Sequence, residues 1–172
     1  MIRYIQNEAH YTEVIERIRN VQRRLWIGTA DMKDLYVKNR NTTIPLLGVL
    51  DRLIRQNVEI RLLHAKRPGP NFTADFDQYP SLWSQLQRRL CPRMHFKILV
   101  FDSKMAYIGS ANLTGAGLGM KGASTRNFEA GILTDEPTLV DAAADQFDAV
   151  WNGMHCAKCR RKSFCTDPIR HL

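Results

Sequence analysis

Short apolar runs that read as strands recur along this chain, with helical periodicity in the segments between them. The runs are Leu25–Ala30, Val58–Leu63, Phe96–Phe101, Met105–Ile108 and Phe128–Leu133. Each is strand-sized, and several are bounded by turn formers: Asp31 closes the first, and Asp102-Ser103-Lys104 separates the third from the fourth. Tyr11, Val14, Ile15, Ile18 and Val21 are spaced for one helix face. Pro45 stands where a first helical turn tolerates proline, ahead of Leu46, Leu47, Val49, Leu50, Leu53 and Ile54. Ser81–Leu90 reads as a short helix stopped by Pro92, and Pro137 opens a last helix carrying Val140, Ala143, Phe147 and Trp151. Strands that alternate with helices, around one central hairpin, predict an α/β fold: a mixed β-sheet flanked by helices. Asn39–Thr43 reads as a loop, and Lys66–Pro80, with Pro68, Gly69, Pro70 and Pro80, as the one long loop. A second, Gly-rich loop holds Gly115, Gly117, Gly119 and Gly122. Residues 1–152 are expected to form one domain, with 153–172 a Cys-rich tail packed on it.

Composition narrows the partners. Hydrophobic residues at 44% against 24% charged exclude a disordered chain. No apolar run approaches the roughly 20 residues that cross a bilayer. Met1–Glu8 lacks the apolar core of a secretory signal, so a cytoplasmic location without membrane insertion is expected. The chain carries 25 Lys+Arg against 17 Asp+Glu, a net charge of +8, and the excess is clustered. Arg88, Arg89, Arg93 and Lys97 fall in a stretch with no acid, and Lys158, Arg160, Arg161, Lys162 and Arg170 face only Asp167 in the tail. Such clusters suit a polyanion, nucleic acid or anionic headgroups, and equally a solvated basic face.

The segment His95-Phe96-Lys97-Ile98-Leu99-Val100-Phe101-Asp102 carries the chemistry, with Gly109-Ser110-Ala111-Asn112 after it. Period-two geometry puts His95, Lys97 and Leu99 on one face of a strand, with imidazole and ammonium roughly 7 Å apart at the backbone. The second strand of the hairpin delivers the Ser110 hydroxyl and the Asn112 amide just past its end. An imidazole, a fixed cation and two neutral hydrogen-bonding groups together suit an anionic phosphoryl centre.

These residues resemble the signature of the phospholipase D superfamily, H-x-K-x4-D followed by G-S-x-N, at every fixed position: His95, Lys97, Asp102, Gly109, Ser110 and Asn112. The likeness extends from about Tyr11 to Asn152 in the order of elements. It implies a phosphodiester exchange that uses no catalytic cofactor, in which one histidine attacks phosphorus and a second protonates the leaving oxygen, then activates water. Two copies of the signature are needed. This chain holds one, since His64-Ala65-Lys66 lacks the rest, so the resemblance implies a homodimer that shares one site. Lys97 and Asn112 are then expected on the non-bridging oxygens and Ser110 adds a hydrogen bond. Glu129, in Arg126-Asn127-Phe128-Glu129-Ala130-Gly131-Ile132, looks like the family's acidic support for the histidine. Asp102, counted with the catalytic set, sits at the hairpin turn, where an architectural role is expected.

Candidate substrate contacts are His64 with Lys66 and Arg67, after the second strand, and Lys121 and Arg126 in the Gly-rich loop; Phe72, Phe76, Tyr79 and Trp83 offer stacking platforms or core anchors. Cys91, Cys156, Cys159 and Cys165 form a C-x2-C-x5-C group with one distant partner. In a reducing compartment this spacing suggests structural zinc on all four, with His155 and His171 as other fourth ligands and an iron–sulfur cluster as the rival. The functional expectation is a phosphodiesterase, a nuclease acting on DNA or RNA. The alternatives are a phospholipid hydrolase or phosphatidyl transferase, and a catalytically silent nucleic-acid-binding module.

Overall fold

The expected strands come together in one sheet because both of its faces find helices to bury them. The computed structural model describes residues 1–166. Among them the strands in chain order are β1 (Ile2–Gln6), β2 (Arg24–Thr29), β3 (Tyr36–Asn39), β4 (Thr42–Pro45), β5 (Glu59–His64), β6 (Gln87–Leu90), β7 (Lys97–Phe101), β8 (Met105–Gly109) and β9 (Ala130–Thr134). A π-helical turn, His10–Ile15, runs into α1 (Glu16–Ile18); then come α2 (Leu46–Arg55), α3 (Pro70–Asp77), α4 (Pro80–Gln85) and α5 (Pro137–Trp151). The main sheet has the order β1-β9-β8-β7-β2-β5-β6. β2, β5 and β6 run parallel to their neighbours in that group, and every other pair is antiparallel. This is the mixed α/β sheet that the hydrophobic pattern predicts.

Period-two alternation sorts the core. Leu99 and Phe101 of β7 join Leu25 and Ile27 of β2, and with them Val14, Ile15 and Ile18 and the apolar face of α2. Ile98 and Val100 point the other way, into Trp26 and the α5 residues Val140, Ala143, Phe147 and Trp151. The Phe147 ring stacks on Trp26 at 5.3 Å and on Trp151 at 5.8 Å. Gly28 of β2 leaves room for the Phe96 ring, which any Cβ at that position would strike.

The expected long loop Lys66–Pro80 instead contains α3, and the expected helix Ser81–Leu90 splits into α4 and the edge strand β6. The prolines explain both differences. Pro70 and Pro80 occupy the first helical position, where the missing N–H costs nothing, so they start helices rather than interrupt them. Phe72 and Phe76, four residues apart on α3, are buried in the core. β6 forms because Gln87–Leu90 pair with Arg61–His64 of β5. Its arginines alternate across the sheet, Arg88 over Phe76 and Arg89 over Trp151. The expected loop Asn39–Thr43 is the bend of the β3–β4 hairpin, and β1 pairs with β9. Their pairing is long-range or short and polar, and leaves little periodicity to read.

At the far end of β7, Asp102 and Ser103 have positive φ, 53° and 55°. The Lys104 N–H closes the turn on the Phe101 carbonyl at 3.0 Å. Two central residues with φ > 0 match the twist of a tight hairpin. The Asp102 carboxylate accepts backbone N–H groups from Gln22 (3.0 Å), Arg23 (2.7 Å) and Arg24 (3.0 Å), tying the hairpin to the start of β2. Burial pushes this carboxyl up, but the three N–H donors together outweigh it and hold it below its ordinary value.

The stabilisation from this carboxylate is complete above an ordinary carboxyl pKa of 3.8 and is lost as pH falls through the lowered native value. Asp102→Asn keeps a residue that tolerates positive φ and removes the charge. Urea unfolding at pH 7 should show a loss of about 1–2 kcal/mol. Below about pH 4 the wild-type and variant curves should converge; curves that stay parallel would contradict the assignment.

Candidate active site

One end of the sheet collects the reactive side chains. The register sets the start of β7 beside the ends of β2 and β8, with Gly28 opposite Ile98 and Lys97 opposite Gly109. Gly109 faces Gly131 of β9, and His64 at the end of β5 lies beside Thr29 at the end of β2. His95, Lys97, Ser110, Glu129 and Thr29 therefore emerge along one edge.

Lys97 is 8% exposed, whereas the His95 ring next to it is open to solvent. The Lys97 Nζ donates to the His95 carbonyl at 2.8 Å and stands 3.5 Å from Nδ1 of the same residue. Two side chains spaced roughly 7 Å apart along a strand thus meet at their tips. Burial pushes the Lys97 ammonium pKa down, and the negative charge of Glu129 opposes the shift.

After β8 the chain crosses toward the end of β2. The Leu113 N–H donates to Thr29 Oγ1 at 2.9 Å, and the Lys33 N–H donates to the Leu113 carbonyl at 3.1 Å. This crossing carries Asn112, whose amide oxygen accepts the Asp31 N–H at 3.1 Å and lies 3.4 Å from the Thr29 hydroxyl. The oxygen being held, the NH2 is the end left to donate; among the described residues it makes no hydrogen bond. Ser110 Oγ donates to the Glu129 carboxylate and accepts the Ala130 N–H at 3.0 Å. Asn127 Nδ2 holds the other Glu129 oxygen at 3.1 Å. Within one chain, Glu129 is thus bonded to Ser110 and Asn127, and among the described residues not to His95.

Beneath these groups lies Tyr107, fully buried, its hydroxyl accepting the Ala111 N–H at 3.3 Å. Its ring fills the space over Gly109 and Gly131, where a Cβ at either position would collide with it. His10 meets the same ring edge-on at 5.5 Å. Sequence reasoning missed Tyr107, His10 and the supporting role of Thr29. The available signal was the pair of glycines two residues beyond Tyr107 and two beyond Glu129, which fall opposite one another.

Three expected site residues lie elsewhere. Asp102, counted with the catalytic set but expected at the hairpin turn in an architectural role, sits there, a strand length away at the opposite end of β7. The Arg126 guanidinium is occupied by the carbonyls of Asn7 (2.7 Å), Gly119 (2.7 Å) and Lys121 (3.1 Å), so it pins the Gly-rich loop and is not free for substrate. Lys121 stays exposed in that loop. His64 is buried rather than a surface residue, with Nδ1 donating to the Lys66 carbonyl at 2.8 Å, and it lines a separate cavity; the Lys66 side chain is exposed.

Cys91, Cys156 and Cys159 line one cavity of about 350 Å³ together with His95 and His155, and Cys165 is not among its walls. Gly153, His155, Cys156 and Cys159 thus border the segment leading into β7. Cys165 follows a 3-10 turn, Lys162–Phe164, and all four cysteines are free thiols. Among the described residues no three His, Cys, Asp or Glu side chains are gathered closely enough to hold an ion. His171 lies outside the described residues.

The hairpin that presents His95 and Lys97 at one end of a mixed sheet, with Asn112 carried over it, defines a phospholipase D-like domain. The model of the cardiolipin synthase, PLD-like domain family matches residues 14–151, and the chain belongs to the phospholipase D superfamily. Among solved structures, NucT from Helicobacter pylori is similar over 88% of this chain and 97% of its own, with a TM-score of 0.63 at 12% identity. Nuc from Salmonella typhimurium, a phospholipase D family member, is similar over 88% and 94%, with a TM-score of 0.62 at 15% identity. TrmBL2, an archaeal chromatin protein described with a novel mode of DNA binding, is similar over 88% of this chain and 52% of its own, with a TM-score of 0.59 at 14% identity. At such identities these likenesses establish the fold. No curated protein matches the sequence.

The electrostatics of Lys97 can be read directly. Its side-chain NMR resonances should titrate below the ordinary lysine value of 10.5. Glu129→Gln removes the opposing charge and should move the midpoint further down. A midpoint unmoved or raised by Glu129→Gln would contradict the placement of that carboxylate near the ammonium.

Proposed function

We propose that this protein is a metal-independent phosphodiesterase that hydrolyses nucleic acid, and that its working unit is a pair of identical chains. The observation that carries this reading is the exposed His95 imidazole, 3.5 Å from a buried Lys97 ammonium, beside an Asn112 amide oriented by its own oxygen. Lys97 and the Asn112 NH2 hold the two non-bridging oxygens of the phosphodiester and stabilise the charge that develops there. The His95 Nε2 attacks phosphorus, and the bond to the leaving oxygen breaks as that oxygen takes a proton from His95 of the partner subunit. The same partner imidazole then removes a proton from water. The resulting hydroxide oxygen attacks phosphorus, the P–N bond breaks, and a phosphate monoester leaves. A nitrogen bonded to phosphorus cannot shuttle those protons itself, which is why a second imidazole is required.

Pairing is supported by apolar side chains left open around this end of the sheet. Phe128, next to Glu129, is 93% exposed, and Tyr4 of the edge strand β1 is 65% exposed. Nucleic acid as the substrate is supported by the net charge of +8 and by the shared fold of TrmBL2, a DNA-binding protein. No helix of the described residues is long and apolar enough to cross a membrane.

The test is hydrolysis in excess EDTA of plasmid DNA, RNA, bis(4-nitrophenyl) phosphate and vesicles of cardiolipin or phosphatidylcholine. Cleavage of a nucleic acid and the small diester is expected, weakened by added salt and reduced to background in His95→Ala. Turnover of lipid alone would overturn the substrate assignment. Undiminished activity in folded His95→Ala would overturn the chemistry.

A further inference from the structure

The buried His64 lines a cavity of about 370 Å³, within the size range of small-ligand sites, and none of the residues that hold the phosphate in the proposed chemistry belongs to it. Its walls combine two kinds of group. Phe72, Phe76 and Trp83 form an aromatic series: Phe72 stacks on Phe76 at 6.2 Å, and Phe76 meets Trp83 edge-on at 5.0 Å. Phe72 and Phe76 are each 4% exposed, but Trp83 is 63% exposed, so most of this residue stays open to solvent. Arg67 and Arg88 supply the charge, with Arg88 braced over Phe76 at 5.4 Å.

His64 adds a hydrogen-bond acceptor. Its Nδ1 donates to the Lys66 carbonyl at 2.8 Å, and burial keeps the ring neutral, which leaves Nε2 with a lone pair. Among the described residues that nitrogen has no hydrogen-bond partner. An aromatic face, cations at the rim and a neutral acceptor within are the complement of a nucleobase with its flanking phosphates. A lipid tail would use neither the arginines nor the imidazole.

The cavity is also placed to serve the edge where His95 and Lys97 emerge. β5, which ends in His64, is separated from β7 by β2 alone, so the backbones at His64 and Lys97 stand about 10 Å apart across two inter-strand spacings. Thr29, beside His64 in the register, lies 3.4 Å from the Asn112 amide oxygen. A nucleotide next to the phosphate being cut spans this interval.

We propose that this cavity takes one unpaired nucleobase beside the scissile phosphate, stacked on Trp83, with Arg67 and Arg88 on the adjoining phosphates. The inference rests on the phosphodiesterase reading and extends it to a substrate class: single-stranded nucleic acid. A base paired in a duplex would first have to leave its stack, at the cost of unpairing.

The test measures binding and chemistry separately. In a His95→Ala background, which cannot turn over, fluorescence anisotropy reports binding of a labelled single-stranded DNA and of its blunt duplex. Adding Trp83→Ala should weaken the single strand about fivefold to a hundredfold, the range for loss of one stacked base. It should leave the duplex within twofold. In otherwise native protein, Trp83→Ala should raise KM for the single strand by the same factor. Equal loss on both DNA forms, or no loss on either, would overturn the base site. Failure of the native protein to cleave the small diester in EDTA would instead overturn the phosphodiesterase reading, and the binding comparison would stand apart from it.

Discussion

A lysine ammonium in the interior of a sheet edge would ordinarily be a defect, and here the surrounding structure is organised around it. Lys97 begins a strand hydrogen-bonded on both sides, to β2 and to β8, so its backbone has no freedom to carry the charge outward. The ammonium is compensated locally by the His95 carbonyl and by the charge of Glu129, an arrangement that leaves donors for an incoming anion. Everything that makes the site specific follows from this fixed cation. The segment after β8 crosses to β2 and carries Asn112 with it, and Ser110 stays behind to hold Glu129 in place.

The support beneath the site is as constrained as the site itself. Tyr107 can lie under it only because Gly109 and Gly131 carry no side chain, and His10 packs against that ring in a T-shaped contact. At the other end of the hairpin, Asp102 fixes where β7 turns back by capping the N–H groups that begin β2. The signature thus spends its residues on two jobs at opposite ends of the same strands. In the proposed chemistry His95 and Lys97 meet the ligand, and Asp102 ties down the hairpin that presents them.

Much of this was legible in sequence. The alternation from Phe96 to Phe101 assigns each side chain to the face on which it is found, and the spacing of His95 and Lys97 correctly places the pair side by side. What escaped depended on partners distant in the chain. β1 and β6 are strands because of what they pair with, residues 134 to 130 and 61 to 64, and their own periodicity is slight. Pro70 and Pro80 looked like breakers because nothing local distinguishes a proline that starts a helix from one that ends it. Arg126 looked available for substrate because charge is visible in a sequence and the three carbonyls that occupy it are not. The cysteine spacing suggests a cluster, and among the described residues Cys91, Cys156 and Cys159 line one cavity.

An active site that draws one imidazole from each of two chains must lose activity when either chain lacks His95. Wild-type protein and His95→Ala should be denatured together, refolded at a series of ratios, and assayed at constant total concentration on bis(4-nitrophenyl) phosphate. If both chains of a pair must supply His95, activity falls as the square of the wild-type fraction, and an equal mixture retains one quarter. A linear fall, with half the activity left in the equal mixture, would show that each chain acts alone and would contradict the shared site.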